Sequence, residues 1–141
     1  MTERIFFRLD TLDESTSYEA EQPNTFRVPC DEADANLVSS LCKNGKHMPV
    51  LDLDGMDPMT AIERVTELLG LRHFPGRAVP SSTDGHYHLF VDHEMEWQDY
   101  SKLLDVLVFE GVIQAKYASA SKERQATFVR KPGIYKKKVA A

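Results

Sequence analysis

Two short stretches of this chain space ligand-type side chains in ways that suit chemistry. In Leu51-Asp52-Leu53-Asp54, acidic residues alternate with leucines. Side chains two apart on a β-strand share a face, so Asp52 and Asp54 would project together while Leu51 and Leu53 pack inward. Such a carboxylate pair suits a hard divalent cation, Mg²⁺ or Mn²⁺, that takes oxygen ligands and keeps several waters. The plain alternative is a polar strand face meeting solvent. In Ser81-Ser82-Thr83-Asp84-Gly85-His86-Tyr87-His88-Leu89-Phe90, His86 and His88 share one strand face and Tyr87 and Leu89 the other. Imidazoles so paired can bind a metal, or contact phosphate as cations. The turn before them is rich in hydroxyls, and Ser82, Thr83 and Gly85 suit close approach of a phosphate to backbone amides. Two exposed histidines on a half-buried strand are the alternative. A third stretch, Arg130-Lys131-Pro132-Gly133 with Lys136 downstream, places a guanidinium that can fork onto phosphate oxygens, or simply a strand ending in a basic tail.

These residues need elements to hold them. Periodicity predicts a strand at Ile5 to Leu9, an acidic loop through Pro23, an extended segment at Thr25 to Cys30, and a short helix from Asp31. That helix would carry Leu37, Val38 and Leu41 and stop at Gly45. From Met48 the pattern sharpens, with the Pro49 to Asp54 strand followed by a helix capped by Asp57 with Pro58 at its first position. Ile62, Val65 and Leu69 would lie on one face of that helix, which Gly70 ends. Strands follow around Ala78-Val79 and at His86 to Val91. Next comes a helix from Trp97 to Glu110, with Trp97, Tyr100, Leu103, Leu104 and Leu107 on its buried side. Val112 to Tyr117 and Thr127 to Arg130 read as two closing strands.

The order from residue 48 is strand, helix, strand, strand, helix, strand. This is the split β-α-β arrangement of ferredoxin-like and RNA-recognition-like folds, an α+β palm with an antiparallel sheet and two helices on one face. Its other face would stay open, and there Asp52, Asp54, His86 and His88 would converge. The chain is expected to be a single domain: an N-terminal α/β extension over 1–47, a palm-like core over 48–133 and a basic tail over 134–141.

Composition bounds the possibilities. At 141 residues, with 42% hydrophobic and 28% charged side chains, the chain can bury a core and is not of disordered type. No apolar run approaches the roughly 20 residues of a membrane span, and the start of the chain does not read as a signal peptide. Cys30 and Cys42 stand alone without a CxxC spacing, which excludes a cysteine-based zinc site and fits reduced thiols in a cytoplasm. The net charge of −5 conceals an asymmetry: residues 1–60 carry 12 acidic and 5 basic side chains, and residues 101–141 carry 3 and 9. A basic C-terminal segment suits phosphates, or serves as a solubilising tail.

The three stretches, in this order, resemble the archaeo-eukaryotic primase superfamily, including the primase-polymerases of phages and plasmids. The resemblance covers about residues 48–136. It implies an RNA-recognition-like palm in which Asp52 and Asp54 hold divalent metal and His88 contacts nucleotide phosphates. Ser82, Thr83, Gly85 and His86 would line the phosphate-binding turn, with Arg130 and Lys136 near the same anion. It further implies a phage-type replication accessory, acting on nucleotide or nucleic acid in the host-cell cytoplasm. One departure concerns the family's third motif, which supplies another Asp, whereas Lys116 to Lys122 offers no carboxylate before Glu123. A reduced relative that binds without polymerising fits these residues as well as an active nucleotidyltransferase. Two other readings remain open. His86-Tyr87-His88 is similar to the His-hydrophobic-His strand of rolling-circle endonucleases, for which Tyr135 or Tyr100 would be the nucleophile. A compact phage-type protein could instead bind or inhibit a host protein without catalysis.

Overall fold

The computed structural model describes residues 3–8, 28–81 and 85–132. In chain order they form β1 (Arg4–Arg8), β2 (Val28–Cys30), a short 3-10 turn (Glu32–Asp34), β3 (Leu37–Cys42) and β4 (Val50–Asp52). Next come α1 (Pro58–Leu68), β5 (Gly76–Pro80), β6 (Tyr87–Val91), α2 (Trp97–Phe109), α3 (Ala115–Arg124) and β7 (Phe128–Arg130). The protein is therefore α+β, and its described strands form two antiparallel sheets.

Two expected elements change type. The helix expected from Asp31 is only the 3-10 turn, and Leu37, Val38 and Leu41 belong to β3. β3 is an inner strand, flanked by β1 and β7, so Leu37, Val38, Ser39 and Ser40 are all buried and no polar/apolar alternation marks it. Its two serines are satisfied locally: Ser39 Oγ accepts from the Leu41 N–H, and Ser40 Oγ from the Thr127 N–H, both at 3.0 Å. The strand expected at Val112 to Tyr117 is also corrected. Val112 and Ile113 are buried in an irregular segment, and α3 begins at Ala115, where alanine, lysine, glutamate and arginine favour helix. By contrast α1 starts where the sequence places it. The Asp57 carboxylate accepts from the Thr60 N–H at 3.2 Å, and Pro58 follows it.

One sheet has the order β2-β1-β3-β7 and the other β4-β6-β5. In the second, the pairs Val50↔Phe90, Leu51↔Leu89 and Asp52↔His88 set the register. The Leu53 N–H donates to the Tyr87 carbonyl at 3.0 Å and the Val91 N–H to the Pro49 carbonyl at 2.9 Å. Odd-numbered β4 positions therefore bond to β6, and the backbone groups of Val50 face the opposite edge. There a further strand would dock, yet the Val50 groups are taken by phenols. The Val50 N–H donates to Tyr100 Oη (3.3 Å), and its carbonyl accepts from Tyr100 Oη (3.0 Å) and Tyr117 Oη (2.7 Å). With that edge satisfied by α2 and α3, β7 pairs instead with β3, as Leu37↔Arg130, Val38↔Val129 and Ser39↔Phe128.

The three-stranded sheet is covered on both sides. Leu51, Leu89 and Val91 point into the main core with Val65 of α1, Leu104 and Leu107 of α2, and Tyr117 of α3. On the other side Val50 and Phe90 pack against Val38 and Val129 of the first sheet. The sheet face expected to lie open is thus half covered, because the first sheet must bury its own apolar residues. Arg4 fastens the two layers. Its guanidinium donates to the carbonyls of Met48, Pro49 (3.3 Å) and Val91 (3.1 Å) and to Asp92 Oδ1 (3.3 Å).

Candidate functional site

What the first sheet leaves uncovered is the margin where β4 ends and β6 begins. Asp52 and His88 meet there as direct cross-strand partners. Theirs is a non-hydrogen-bonded pair, the kind that brings side chains closest. His88 Nε2 stands 3.4 Å from Asp52 Oδ1, with the imidazole 16% exposed and the carboxylate 35%. An imidazole held beside a carboxylate is oriented by it and keeps its other nitrogen for a ligand. Leu51 and Leu53, on the opposite face, are fully buried, so the alternation that the sequence predicts for this strand holds.

Asp54 lies just beyond the strand and is exposed. Its N–H donates to the Val112 carbonyl at 3.0 Å, and its Oδ1 accepts from Gln114 Nε2 at 2.9 Å. Gln114 is the N-cap residue of α3, a partner that sequence reasoning missed because it lies 60 positions away. Continuing the β4–β6 register places His86 across from Asp54. In keeping with this, His86 Cε1 lies 3.9 Å from where a Cβ on Gly55 would stand. Gly85, with φ +79°, turns the chain into β6. Of the four, Asp52 and His88 are in direct contact, while Asp54 is held by Gln114 and His86 approaches Gly55.

Arg130 is not at this margin. It is buried on β7 opposite Leu37, in the other sheet. The next residue, Lys131, lines a cleft with Asp92 and Arg77, at the end of β6 remote from His88. The reason is the loss of the β4 edge to Tyr100 and Tyr117, which sends β7 away from the margin. Ser82, Thr83, Tyr135 and Lys136 lie outside the described residues. Tyr100 is fully buried with its hydroxyl engaged, and burial pushes its phenol up to about 12, so it does not serve as a surface nucleophile.

A divalent cation finds only a partial cradle here. Among the described residues no three His, Cys, Asp or Glu side chains group to hold a metal. A cation at the margin would rest on Asp52 and His88, with Asp54 joining only after leaving Gln114. It would complete its shell from water or phosphate oxygens, as Mg²⁺ does at nucleotide sites. The carboxylates suit Mg²⁺ or Mn²⁺, while an imidazole ligand is better suited to softer metals.

No protein-family model, curated protein or solved structure matches this chain. No helix among the described residues is long and apolar enough to cross a membrane.

Proposed function

We propose that this protein binds a nucleotide or a nucleic-acid strand, with Mg²⁺ or Mn²⁺ between the ligand's phosphate and the Asp52–His88 pair. On this reading it is a phage-type replication accessory built on a reduced primase-polymerase palm. The observation that carries the proposal is the direct register of Asp52 with His88 at the uncovered margin of the sheet. The strand order β4-β6-β5, with α1 between β4 and β5, also supports it. That order is the one found in three of the four strands of a ferredoxin-like palm. Asp52 stands beside His88 Nε2 and leaves Nδ1 as a ligand for the cation, while Asp54 offers a second carboxylate and the cation meets the phosphate.

Binding without polymerisation is favoured over nucleotidyl transfer. A further carboxylate would need to converge on the cation, and α3 stands where a strand was expected to carry the third motif. Its first turn holds Ala115, Lys116 and Tyr117 and no acid. The test is fluorescence anisotropy of a labelled single-stranded oligonucleotide, with Mn²⁺ and with chelator, beside a denaturing gel of a primed template with nucleotides. Mn²⁺-dependent binding that Asp52→Asn abolishes, with an unextended primer, is the expected result. Extension needing Asp52 would make the protein a polymerase. Cleavage or a covalent adduct needing His88 would make it a nuclease, and absence of binding would leave the host-protein-binding reading in its place.

A further inference from the structure

At the other end of β6, a cleft of about 590 Å³ opens between the two sheets, within the size range of small-ligand sites. Its cations fall into two kinds. Arg4 and Lys43 are already paired, with Asp92 at 3.3 Å and Glu3 at 2.7 Å. Arg77 and Lys131 make no ion pair among the described residues. Arg77 is exposed, and its guanidinium carbon lies over the Phe90 ring, 5.2 Å from the centroid, a cation–π contact that leaves its N–H donors for a ligand. Arg4 also lies over the Phe90 ring, at 5.5 Å from its centroid. Lys131 Nζ donates to the Glu32 carbonyl at 2.6 Å and retains two further N–H donors.

The remaining lining has a different character. Phe6 and Val38 give the cleft an apolar floor, and Asp31 and Glu32 add exposed carboxylates near Lys131. A ligand that satisfies all three must carry an anion for Arg77 and Lys131, a flat or apolar body for the floor, and hydroxyl or amino donors for the carboxylates. A bare phosphate lacks the last two, and a hydrophobic anion lacks the donors. A nucleoside monophosphate has all three: phosphate, base, and a ribose diol of the kind that carboxylates bind.

We propose that the inter-sheet cleft is a nucleoside-monophosphate site, separate from the Asp52–His88 margin, with Arg77 and Lys131 as its phosphate-binding residues. The guanidinium forks onto the phosphate, and the ammonium adds a point charge. No metal enters this site, since its phosphate charge is met by side chains.

The test is isothermal titration of the full chain with AMP in the presence of a chelator, with adenosine and inorganic phosphate as separate probes. Arg77→Ala and Lys131→Ala are suitable variants because neither side chain is part of the core. The proposal expects saturable AMP binding, at least tenfold weaker in each variant and unchanged in Asp52→Asn and His88→Ala. It also expects adenosine and inorganic phosphate each to bind at least tenfold more weakly than AMP. Wild-type protein that binds no AMP overturns the proposal, as does AMP binding indifferent to Arg77 and Lys131, or adenosine binding equal to AMP. AMP binding in chelator that is lost in Asp52→Asn overturns the proposal as well. Because chelator excludes metal-dependent binding there, failure of this proposal and failure of the proposed function are read independently.

Discussion

Replacing Tyr100 with phenylalanine removes one oxygen and tests why the second sheet ends at β4. In the native protein that oxygen accepts from the Val50 N–H (3.3 Å), donates to the Val50 carbonyl (3.0 Å) and meets Thr127 Oγ1 at 2.6 Å. Two of the three partners have a second bond to fall back on. The Val50 carbonyl keeps Tyr117 Oη at 2.7 Å, and Thr127 Oγ1 keeps Ser121 Oγ at 3.1 Å. The Val50 N–H keeps none among the described residues, and Val50 is fully buried. An orphaned buried donor costs about 1–3 kcal/mol, and the loss of the remaining net hydrogen bonding adds about 1 kcal/mol. Tyr100→Phe should therefore destabilise the fold by about 2–4 kcal/mol. Tyr117→Phe leaves the Val50 carbonyl bonded to Tyr100 and should cost only about 1 kcal/mol. In a chain of this length the first corresponds to a fall in Tm of about 6–20 °C and the second to about 3–5 °C. Urea unfolding followed by far-UV circular dichroism measures both. Trp97, whose ring stands edge-on to Tyr100 at 5.7 Å, gives a fluorescence signal from the same locus. A Tyr100→Phe protein within about 0.5 kcal/mol of wild type, below the expected cost of an orphaned donor, would refute this account of the sheet edge. So would a Tyr117→Phe protein that lost as much.

Three further outcomes follow. A Cβ on Gly76 would run into the Phe90 carbonyl oxygen and stand 2.9 Å from its carbon, so Gly76→Ala must push β5 off β6. It should lower stability by about 2–4 kcal/mol, as overpacking against backbone does, and an unshifted urea midpoint would contradict the close approach. His47 is buried beside Trp97 and Tyr100 with Nδ1 3.1 Å from Ser40 Oγ, and burial holds its imidazole below the ordinary 6.5, with Glu96 acting weakly the other way. The unfolded chain takes up that proton more readily, so stability is complete above pH 6.5 and falls as pH drops through the lowered native value. His47→Gln should flatten the urea midpoint between pH 7 and 5, and an unchanged slope would show that His47 is not the group responsible. At the site, Gln114→Ala frees the Asp54 carboxylate from its partner at 2.9 Å. Mn²⁺ affinity should then rise by roughly two- to tenfold, the scale of one hydrogen bond, and a fall would mean that Gln114 organises the margin rather than competing with the cation.

How much of this was legible in the sequence depended on how local the cause was. α1 announced itself through Asp57 and Pro58, and α2 through Tyr100, Leu103, Leu104 and Leu107, all buried as their helical spacing requires. The alternation in Leu51 to Asp54 and in Tyr87 to Leu89 marked Leu51, Leu53 and Leu89 as buried and left Asp52 and His88 on the other face, where they pair across the strands. β3 was hidden because an inner strand buried on both faces has no period of two, and the spacing of Leu37, Val38 and Leu41 mimics a helix stripe. α3 was hidden because Val112 and Ile113 read as the start of a strand, although they only anchor the segment before the helix. The placement of Arg130 was out of reach for a different reason. Which sheet receives β7 is decided by phenols 50 and 67 residues from Val50, a long-range satisfaction of backbone groups that no local pattern encodes. Gln114 escaped for the same reason, since only the packed structure brings it to Asp54.

The most direct test of the proposed function is a titration of Mn²⁺ followed by electron paramagnetic resonance, with and without a short single-stranded oligonucleotide. Wild type, Asp52→Asn and His88→Ala would be compared at one protein concentration. The account predicts one Mn²⁺ per chain, bound more tightly when the oligonucleotide is present and at least tenfold more weakly in Asp52→Asn, in line with the loss of one charged ligand. Mn²⁺ that binds equally to wild type and Asp52→Asn, or that is indifferent to the oligonucleotide, would contradict it.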